Sequence, residues 1–455
     1  MAARGERRQL TQGGACLTAG NTGAGGRACG DSGAQGYAAL PNWLYGGGQR
    51  SVPKSYRDGT HRSVAPEATL ARVLPHAAAM GITRLANVTG LDRIGIPVVM
   101  ACRPNSRSLA VAQGKGIDLD AAKASALMET IEAYHAEQID LPLRLGTYAD
   151  LCARLSLADI GRLPRRVSVG APQYLPVLWV EGFDLLQDVP TWVPFEMVSV
   201  DYTRPSPIPV PCFSTSSNGL ASGNNLLEAI SHAICEAVER DATRLWELQS
   251  RSEGENARLD LDSVSDPRCQ RVLEMFAQAG VSVAVWDVTS DVGIASFTCV
   301  IADQDADPMH PMYGAAGAGC HPDRGIALLR ALTEAAQSRL TAISGARDDI
   351  DRTHYERSLS PEVLDHYRAV LTTPGAGRPF AAVPHQEADT FDADVAWELD
   401  RLRAVGIEQV VVVDLTRPEF GIPVARVVIP GLEARQVGSA YAAGERVKRL
   451  QVTTE

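Results

Sequence analysis

Three stretches of the chain repeat one pattern. GITRLANVTGLDRIGIPVVMA (81–101), GVSVAVWDVTSDVGIASFTCVIA (280–302) and GIEQVVVVDLTRPEFGIPVARVVIPG (406–431) each open on Gly-Ile or Gly-Val. Each then runs through β-branched residues to a threonine, crosses a polar turn and resumes with Gly-Ile and a second apolar run. Such runs favour strands, and the Asp, Gly and Pro between them favour turns, so the pattern predicts three β-hairpins. Helical segments precede the second and third copies. The expectation is an α+β chain built from related hairpin-plus-helix subdomains. The spacing is too long and uneven for a solenoid.

A chain of 455 residues is too long for one small core, which points to one large unit of coupled subdomains. The net charge of −11 argues against a general nucleic-acid binder but leaves room for a local basic pocket. There is no apolar run fit to span a bilayer, and the N-terminus lacks the compact apolar stretch of a secretory signal. The nine cysteines are odd in number and scattered, with no C-x-x-C spacing. A disulfide framework or structural zinc is therefore not expected, and the reducing cytoplasm is the simplest compartment. Residues 1–50 hold thirteen of the 40 glycines and read as a flexible arm, with order beginning near Tyr56. A helix should open at Pro66 and end near Gly81. TRPSPIPVP (203–211) reads as extended chain, and residues 345–395 are the least legible.

The strongest chemical signal lies in SSNGLASGNNLLEAISHAICEAVERDA (216–242). Asn218–Asn225 reads as a small-residue loop, followed by a helix from about Leu226 to Leu248. Glycines let backbone amides approach a phosphate, and the helix N-terminus adds partial positive charge. The loop is neither a Walker nor a Rossmann fingerprint. On the helix, Glu228, Glu236 and Glu239 fall within an arc of about 80°, with Arg240 alongside. Magnesium suits a few carboxylates plus substrate phosphates. Taken alone, the acids equally suit a solvated face over a core stripe of Ala229, Ile230, Ala233, Ile234 and Ala237. A second helix, LDAAKASALMETIEAYHAE from Leu119, places Ser125, Glu129 and Glu132 on one face behind the small-residue segment Gly114-Lys-Gly116. Two such units facing each other could hold magnesium ions on a triphosphate. His61, His135, His232 and Cys235 suit packing or surface roles, and no Ser-His-Asp or Cys-His pattern is recognisable.

These two segments resemble the nucleotide-binding motifs of the YcaO family: Ser-x3-Glu-x2-Glu on one helix and Asn-x3-Glu-x7-Glu-x2-Glu-Arg on another. The similarity runs over most of residues 56–430 and implies a YcaO-type ATP-binding fold using ATP and Mg2+. It implies that Glu129 and Glu132 bind magnesium, with Ser125 nearby. It gives Asn224 and Glu228 to the nucleotide–metal site, Glu236 and Glu239 to magnesium, and Arg240 to the phosphates. A family serine falls at Ala221 here, with Ser222 adjacent. Arg62 and Thr69 match the spacing of a basic residue and a hydroxyl that bind ATP. A late helix supplies a glutamine and an arginine. In ALTEAAQSRLTAISGARDD these are Gln337 and either Arg339 or Arg347.

The resemblance implies activation of a peptide carbonyl by phosphorylation of its oxygen. Three outcomes follow from the nucleophile: an azoline, an amidine or a thioamide. Two features favour the thioamide. The tail 431–455 lacks the Pro-x-Pro-x-Pro ending common among azoline formers. The segments THRSVAPEATL, LDRIGIPV and DLTRPEFGIPVARVVIPG resemble YcaO proteins that work beside a TfuA-type partner. A peptide or protein substrate, a sulfide source, a TfuA-like protein and a homodimer are the implied partners. A non-catalytic peptide-binding scaffold is the rival from another class.

Overall fold

The computed structural model describes residues 40–46, 51–203, 211–213, 215–248, 257–304, 314–358, 360–372, 377–434 and 442–454. Most of the glycine-rich arm and the centre of the Pro-rich stretch lie outside the described residues. All three expected hairpins are present and antiparallel. They are β1 (Arg84–Asn87) with β2 (Val98–Cys102), β8 (Val281–Asp287) with β9 (Ser296–Asp303), and β11 (Val411–Asp414) with β12 (Val424–Val428).

Each hairpin gains a third antiparallel strand that leads into a long helix. β3 (Val111–Lys115) pairs with β2 and leads into α2 (Leu119–Glu137). β10 (Ala315–Cys320) pairs with β9 and leads into α6 (Arg324–Ser344). β7 (Leu220–Ser222) pairs with β12 and leads into α4 (Leu226–Trp246). In this last unit the strand and helix precede their hairpin in the chain. The sheets run β1-β2-β3, β10-β9-β8 and β4-β5-β11-β12-β7, where β4 is Leu143–Gly146 and β5 is Val177–Asp184; β6 (Val189–Pro194) pairs with β5. The remaining helices are α1 (Pro66–Val73), α3 (Tyr148–Leu151), α5 (Pro267–Gln278), α7 (Arg352–Ser358), α8 (Pro361–Thr372), α9 (Phe391–Ala404) and α10 (Glu445–Thr454). Among the described residues no helix is long and apolar enough to cross a membrane, and the described cysteines are free.

Local chemistry sets the entry of each long helix. Asp118 caps α2 by accepting from the Ala121 amide, Asn225 caps α4 from Glu228, and Asp323 caps α6 from Gly325 and Ile326. Such caps are worth about 1 kcal/mol each. The helices then lie unusually close on their own strands. A Cβ on Gly114 would overlap the backbone of Ala122 and Ala126, and one on Gly317 would overlap Ala331 and Ala335. The small residues at 114–116 and 218–225 therefore serve strand–helix contact. Gly114 and Lys115 end β3 and Leu220–Ser222 form β7, where loops are expected from sequence.

α4 is the central helix. Its expected stripe is buried, and Leu227, Ile234 and Val238 join one cluster with Val395, Leu399 and Leu402 of α9. Three boundaries differ from expectation. α1 ends at Val73 and passes into a 3-10 turn, Leu74–His76, because Pro75 has no amide to continue the helix. Packing begins before Tyr56: Asn42–Tyr45 form a 3-10 turn whose Leu44 is 3% exposed within the α4 cluster. α6 stops at Ser344 with Gly345 in the left-handed region, leaving Arg347 in the following loop. In the tail, Glu433 accepts from the Gly444 and Val447 amides at the start of α10, and Arg446 reaches Asp241 of α4 at 2.9 Å.

Gly114→Ala is expected to push α2 off β3, at a cost of about 1–3 kcal/mol. Gly90→Ala, where a Cβ meets nothing within 4 Å, should be near neutral. Denaturant unfolding of both variants checks this; equal midpoints would refute the contact argument.

Candidate active site

α2, α4 and α6 present polar side chains to one cavity of about 520 Å³. Its first corner gathers residues far apart in sequence. The Thr69 hydroxyl of α1 donates to Asn224 Oδ1 at 2.9 Å, and Arg72 donates to the Gly223 and Asn224 carbonyls at 3.3 and 3.0 Å. Glu228 Oε2 accepts from the Ser63 amide and hydroxyl, both at 3.0 Å. Its Oε1 accepts from Asn224 Nδ2 at 3.1 Å, with Arg62 Nε at 3.4 Å. So Arg62, Thr69, Asn224 and Glu228 do meet. Glu228 lines the cavity with both oxygens already engaged, so in the free protein it braces the Arg62–Ser63 loop.

Eight residues, about 12 Å of helix, separate Glu228 from Glu236. At that end Glu236 and Glu239 of α4, Glu129 and Glu132 of α2 and Glu334 of α6 all line the cavity, as does Ser125. Glu132 Oε1 accepts from the Ser222 amide and hydroxyl at 2.8 and 2.7 Å. Arg240 lies 3.2 Å from Glu239 and 3.7 Å from Glu236. Lys115 pairs with Glu334 at 2.7 Å. Arg330 meets His232 Nε2 at 2.9 Å; burial and nearby cations push that imidazole well below its usual range, so it is neutral and accepts.

Electrostatics separate these acids. Burial raises Glu129 to about 7, opposed by Lys115 and Arg347 and aided by Glu236 and Glu334. Burial raises Glu132 to about 8 against the Ser222 hydrogen bonds, with Glu129 and Glu236 adding to the rise. Burial also raises Glu236 and Glu239, against the pull of Arg240. At Glu334 burial works in the same sense, yet Lys115, Arg240 and Arg330 together hold it at about 2.

Gln337 lines the cavity and its amide nitrogen donates to the Gln113 carbonyl of β3. Arg347 lines it too, donating to Asp349 at 2.8 and 2.6 Å. Arg339 does not reach it. It is buried on the other side of α6 against Asp92 at 2.9 Å and Asp303 at 3.1 Å, so the expected catalytic role falls away. Sequence reasoning missed Lys115, Arg330, Glu334 and a cavity place for His232. The signal was there: Gly317-Ala-Gly319, a capping Asp323 and a helix with Arg330 and Glu334 repeat the Gly114-Lys-Gly116, Asp118, α2 arrangement.

Among the described residues, no three His, Cys, Asp or Glu side chains converge into a metal cage made by protein alone. Magnesium is commonly held by one or two carboxylates, water and substrate phosphates. Raised, under-compensated acids beside Lys115, Arg240 and Arg330 fit such a metal–triphosphate pair. Residues 113–433 match the model of the YcaO cyclodehydratase family, ATP- and Mg2+-binding. The chain belongs to the YcaO family.

ATP and Mg2+ are accordingly the cofactors of this YcaO protein. It is 38% identical over 392 residues, 85% of this chain and 91% of the other, to an uncharacterized protein in the tfuA 3′ region of Rhizobium leguminosarum bv. trifolii. It is 35% identical over 379 residues, 83% of this chain and 96% of the other, to a protein of Methanothermobacter thermautotrophicus. In fold it resembles the YcaO of Methanopyrus kandleri bound with AMPPCP and Mg2+. There the TM-score is 0.65 at 24% identity, covering 84% of this chain and 94% of that one. It also resembles a heterocyclase in complex with substrate and cofactor, with a TM-score of 0.71 at 24% identity. That match covers 87% of this chain and 55% of the heterocyclase, so this YcaO chain spans about half of that larger protein.

Metal competes with protons for carboxylates of raised pKa. Mg2+·AMPPCP affinity should therefore climb from about pH 6 to about pH 8.5 and then level off, with protons released near neutrality. Calorimetry in two buffers of different ionisation enthalpy measures this; zero release at about pH 7 would exclude Glu129 and Glu132 as the binding acids. The same groups set the stability of the free protein. A carboxylate raised from 4.5 to about 7 or 8 binds more protons folded than unfolded, so stability falls as pH rises through that window. Glu334 has the opposite sign, and its contribution is lost only below about pH 4.5. Arg339→Met should destabilise by about 3–5 kcal/mol, since it strands Asp92 and leaves Asp303 with Arg93 alone of its two arginines. Nucleotide affinity of the folded variant should be unchanged.

Proposed function

We propose that this YcaO protein activates a backbone amide of a ribosomally made peptide or protein by O-phosphorylation and installs a thioamide with a sulfide donor and a TfuA-like partner. The observation that carries amide activation is the cavity, where acids and cations from three helices surround space for a metal–triphosphate and no cysteine is among the described lining residues. The kinship with a protein in a tfuA 3′ region supports sulfide and a TfuA-like partner over the azoline and amidine readings.

Bound ATP supplies the phosphoryl group that turns the amide oxygen into a leaving group. With ATP bound, hydrosulfide would add to the carbonyl carbon, the resulting oxyanion would take the γ-phosphoryl group with ADP as the leaving group, and phosphate would depart as the S–H proton is lost and C=S forms. The protein's part is positioning and charge neutralisation. Arg62, Thr69 and Asn224 would hold the nucleoside end. Glu129, Glu132, Glu236 and Glu239 would hold magnesium, with Lys115, Arg240 and Arg330 on the phosphates and Gln337 and Arg347 along the wall.

Incubation with substrate, partner, sulfide and Mg-ATP should add about 16 Da to the peptide, the mass of exchanging O for S. A loss of about 18 Da would mean azoline formation instead. Glu239→Gln should weaken Mg-ATP binding and abolish product; indifference of both would favour a non-catalytic scaffold.

A further inference from the structure

Arg330 of α6 brings its Nη2 to 2.9 Å from the imidazole Nε2 of His232 on α4. A guanidinium carries donors only and cannot accept. Nε2 is therefore the bare nitrogen of the ring, and the imidazole proton sits on Nδ1. Burial and the charges of Arg330, Arg62 and Lys115 keep the ring from taking a second proton. One contact thus fixes the tautomer, and its surroundings fix the charge: His232 is a neutral ring with a single N–H, at Nδ1.

That N–H has no acceptor among the described residues, where the bond to Arg330 is the one His232 makes. His135, on α2, engages its own Nδ1 with the carbonyl one turn back, Ile131, at 2.7 Å. His232 makes no such bond to Glu228. Nor is its Nδ1 sealed away from water, as His61 Nδ1 and His135 Nε2 are. The residue is half-buried and lines the cavity. It stands four residues after Glu228 and four before Glu236, about 6 Å of helix from each, and so on their face of α4. Glu228 is engaged by Ser63 and Asn224, and Glu334 by Lys115. The free donor lies between the Arg62–Thr69–Asn224 corner and the Glu236–Glu239 end, with three cations acting on it. Such surroundings favour an anionic acceptor, and a hydrogen bond to an anionic oxygen is roughly twice as strong as one between neutral groups. A neutral donor also adds a directed bond without a further positive charge beside Lys115, Arg240 and Arg330.

We propose that His232 binds the nucleotide: its Nδ1–H donates to a non-bridging oxygen of the triphosphate of bound ATP, and Arg330 holds the ring in the tautomer that allows it. This rests on Mg-ATP binding in this cavity and is independent of the product made.

Two amide variants separate the two nitrogens. Asparagine places its NH2 group where Nδ1 lies and is too short to reach Arg330; glutamine offers Arg330 a carbonyl and has no donor at the Nδ1 place. In Mg2+·AMPPCP titration, His232→Gln should bind about tenfold or more weaker than wild type, and His232→Asn should stay within about threefold of it. Thermal unfolding without ligand should run in the opposite order, the asparagine variant being the lower because Arg330 loses its acceptor. In wild type labelled with 15N-histidine, NMR should show ring 232 as the Nδ1–H tautomer, with that proton moving downfield on addition of Mg2+·AMPPCP. An Nε2–H ring at 232, or an Nδ1 proton that ignores the nucleotide, overturns the proposal on wild type alone. His232→Gln at wild-type affinity also overturns it and leaves His232 a brace for Arg330. Equal loss in both variants does the same, because the donor at the Nδ1 place then counts for nothing. Wild type that fails to bind Mg2+·AMPPCP removes the ATP site itself, and does so before any variant is compared.

Discussion

Carboxylates from three helices share one cavity, and the cations beside them do not neutralise them all. Lys115 is taken up by Glu334, Arg62 by Glu228, and Arg240 is divided between Glu236 and Glu239. Glu129 and Glu132 are left with pKa values near 7 and 8. Repelling charges tend to separate, so an arrangement like this needs walls that cannot relax. The rest of the fold supplies them. Glycines at 114 and 317 bring helix backbone against strand backbone with no side chain between. Buried aliphatic clusters hold the far side of α4 against α9. The strain is thus carried by packing that is local to each unit.

The three units also lock each other around the site. Glu132 of α2 accepts from Ser222 of β7, His232 of α4 accepts from Arg330 of α6, and Gln337 of α6 donates to Gln113 of β3. The contacts form a closed ring: first unit to third, third to second, second back to first. Because its third unit is permuted in the chain, α4 is reached early and its hairpin late. Residues 220–246 and 406–431 must therefore find each other across about 160 residues of intervening chain. Contacts of that range are slow to form, yet they let one helix be enclosed by elements from both halves.

What could be read in advance followed the range of the interaction. The hairpins were legible because strand and turn preferences are local. α2 was legible to the residue, since Asp118 announces its start. Phase put the acids of α2 and α4 on shared faces, which suits a solvated surface equally well; the resemblance to the YcaO motifs marked them as a site. Phase also shows why Gln337 and Arg339 cannot act together: residues two apart on a helix lie about 200° apart. Arg330, Glu334, Gln337 and Thr341 are spaced to share a face, and all four line the cavity. Arg339 instead answers to Asp92 and Asp303, partners up to 247 residues away that no local pattern reveals. The same holds for Glu228, whose hydrogen bonds come from Ser63 on a loop 165 residues earlier.

Two arginines near the site mark the limits of the design. Arg240 sits where a metal would compete, and its pairing with Glu239 and Glu236 lets a buried helix carry two acids without the full cost of their repulsion. It substitutes for the missing positive charge in the free protein. Arg426 of β12 is buried as well, and among the described residues its charge acts on Glu236 from behind the cavity wall. Both charges bear on Glu236, which lowers the cost of that buried acid from two sides.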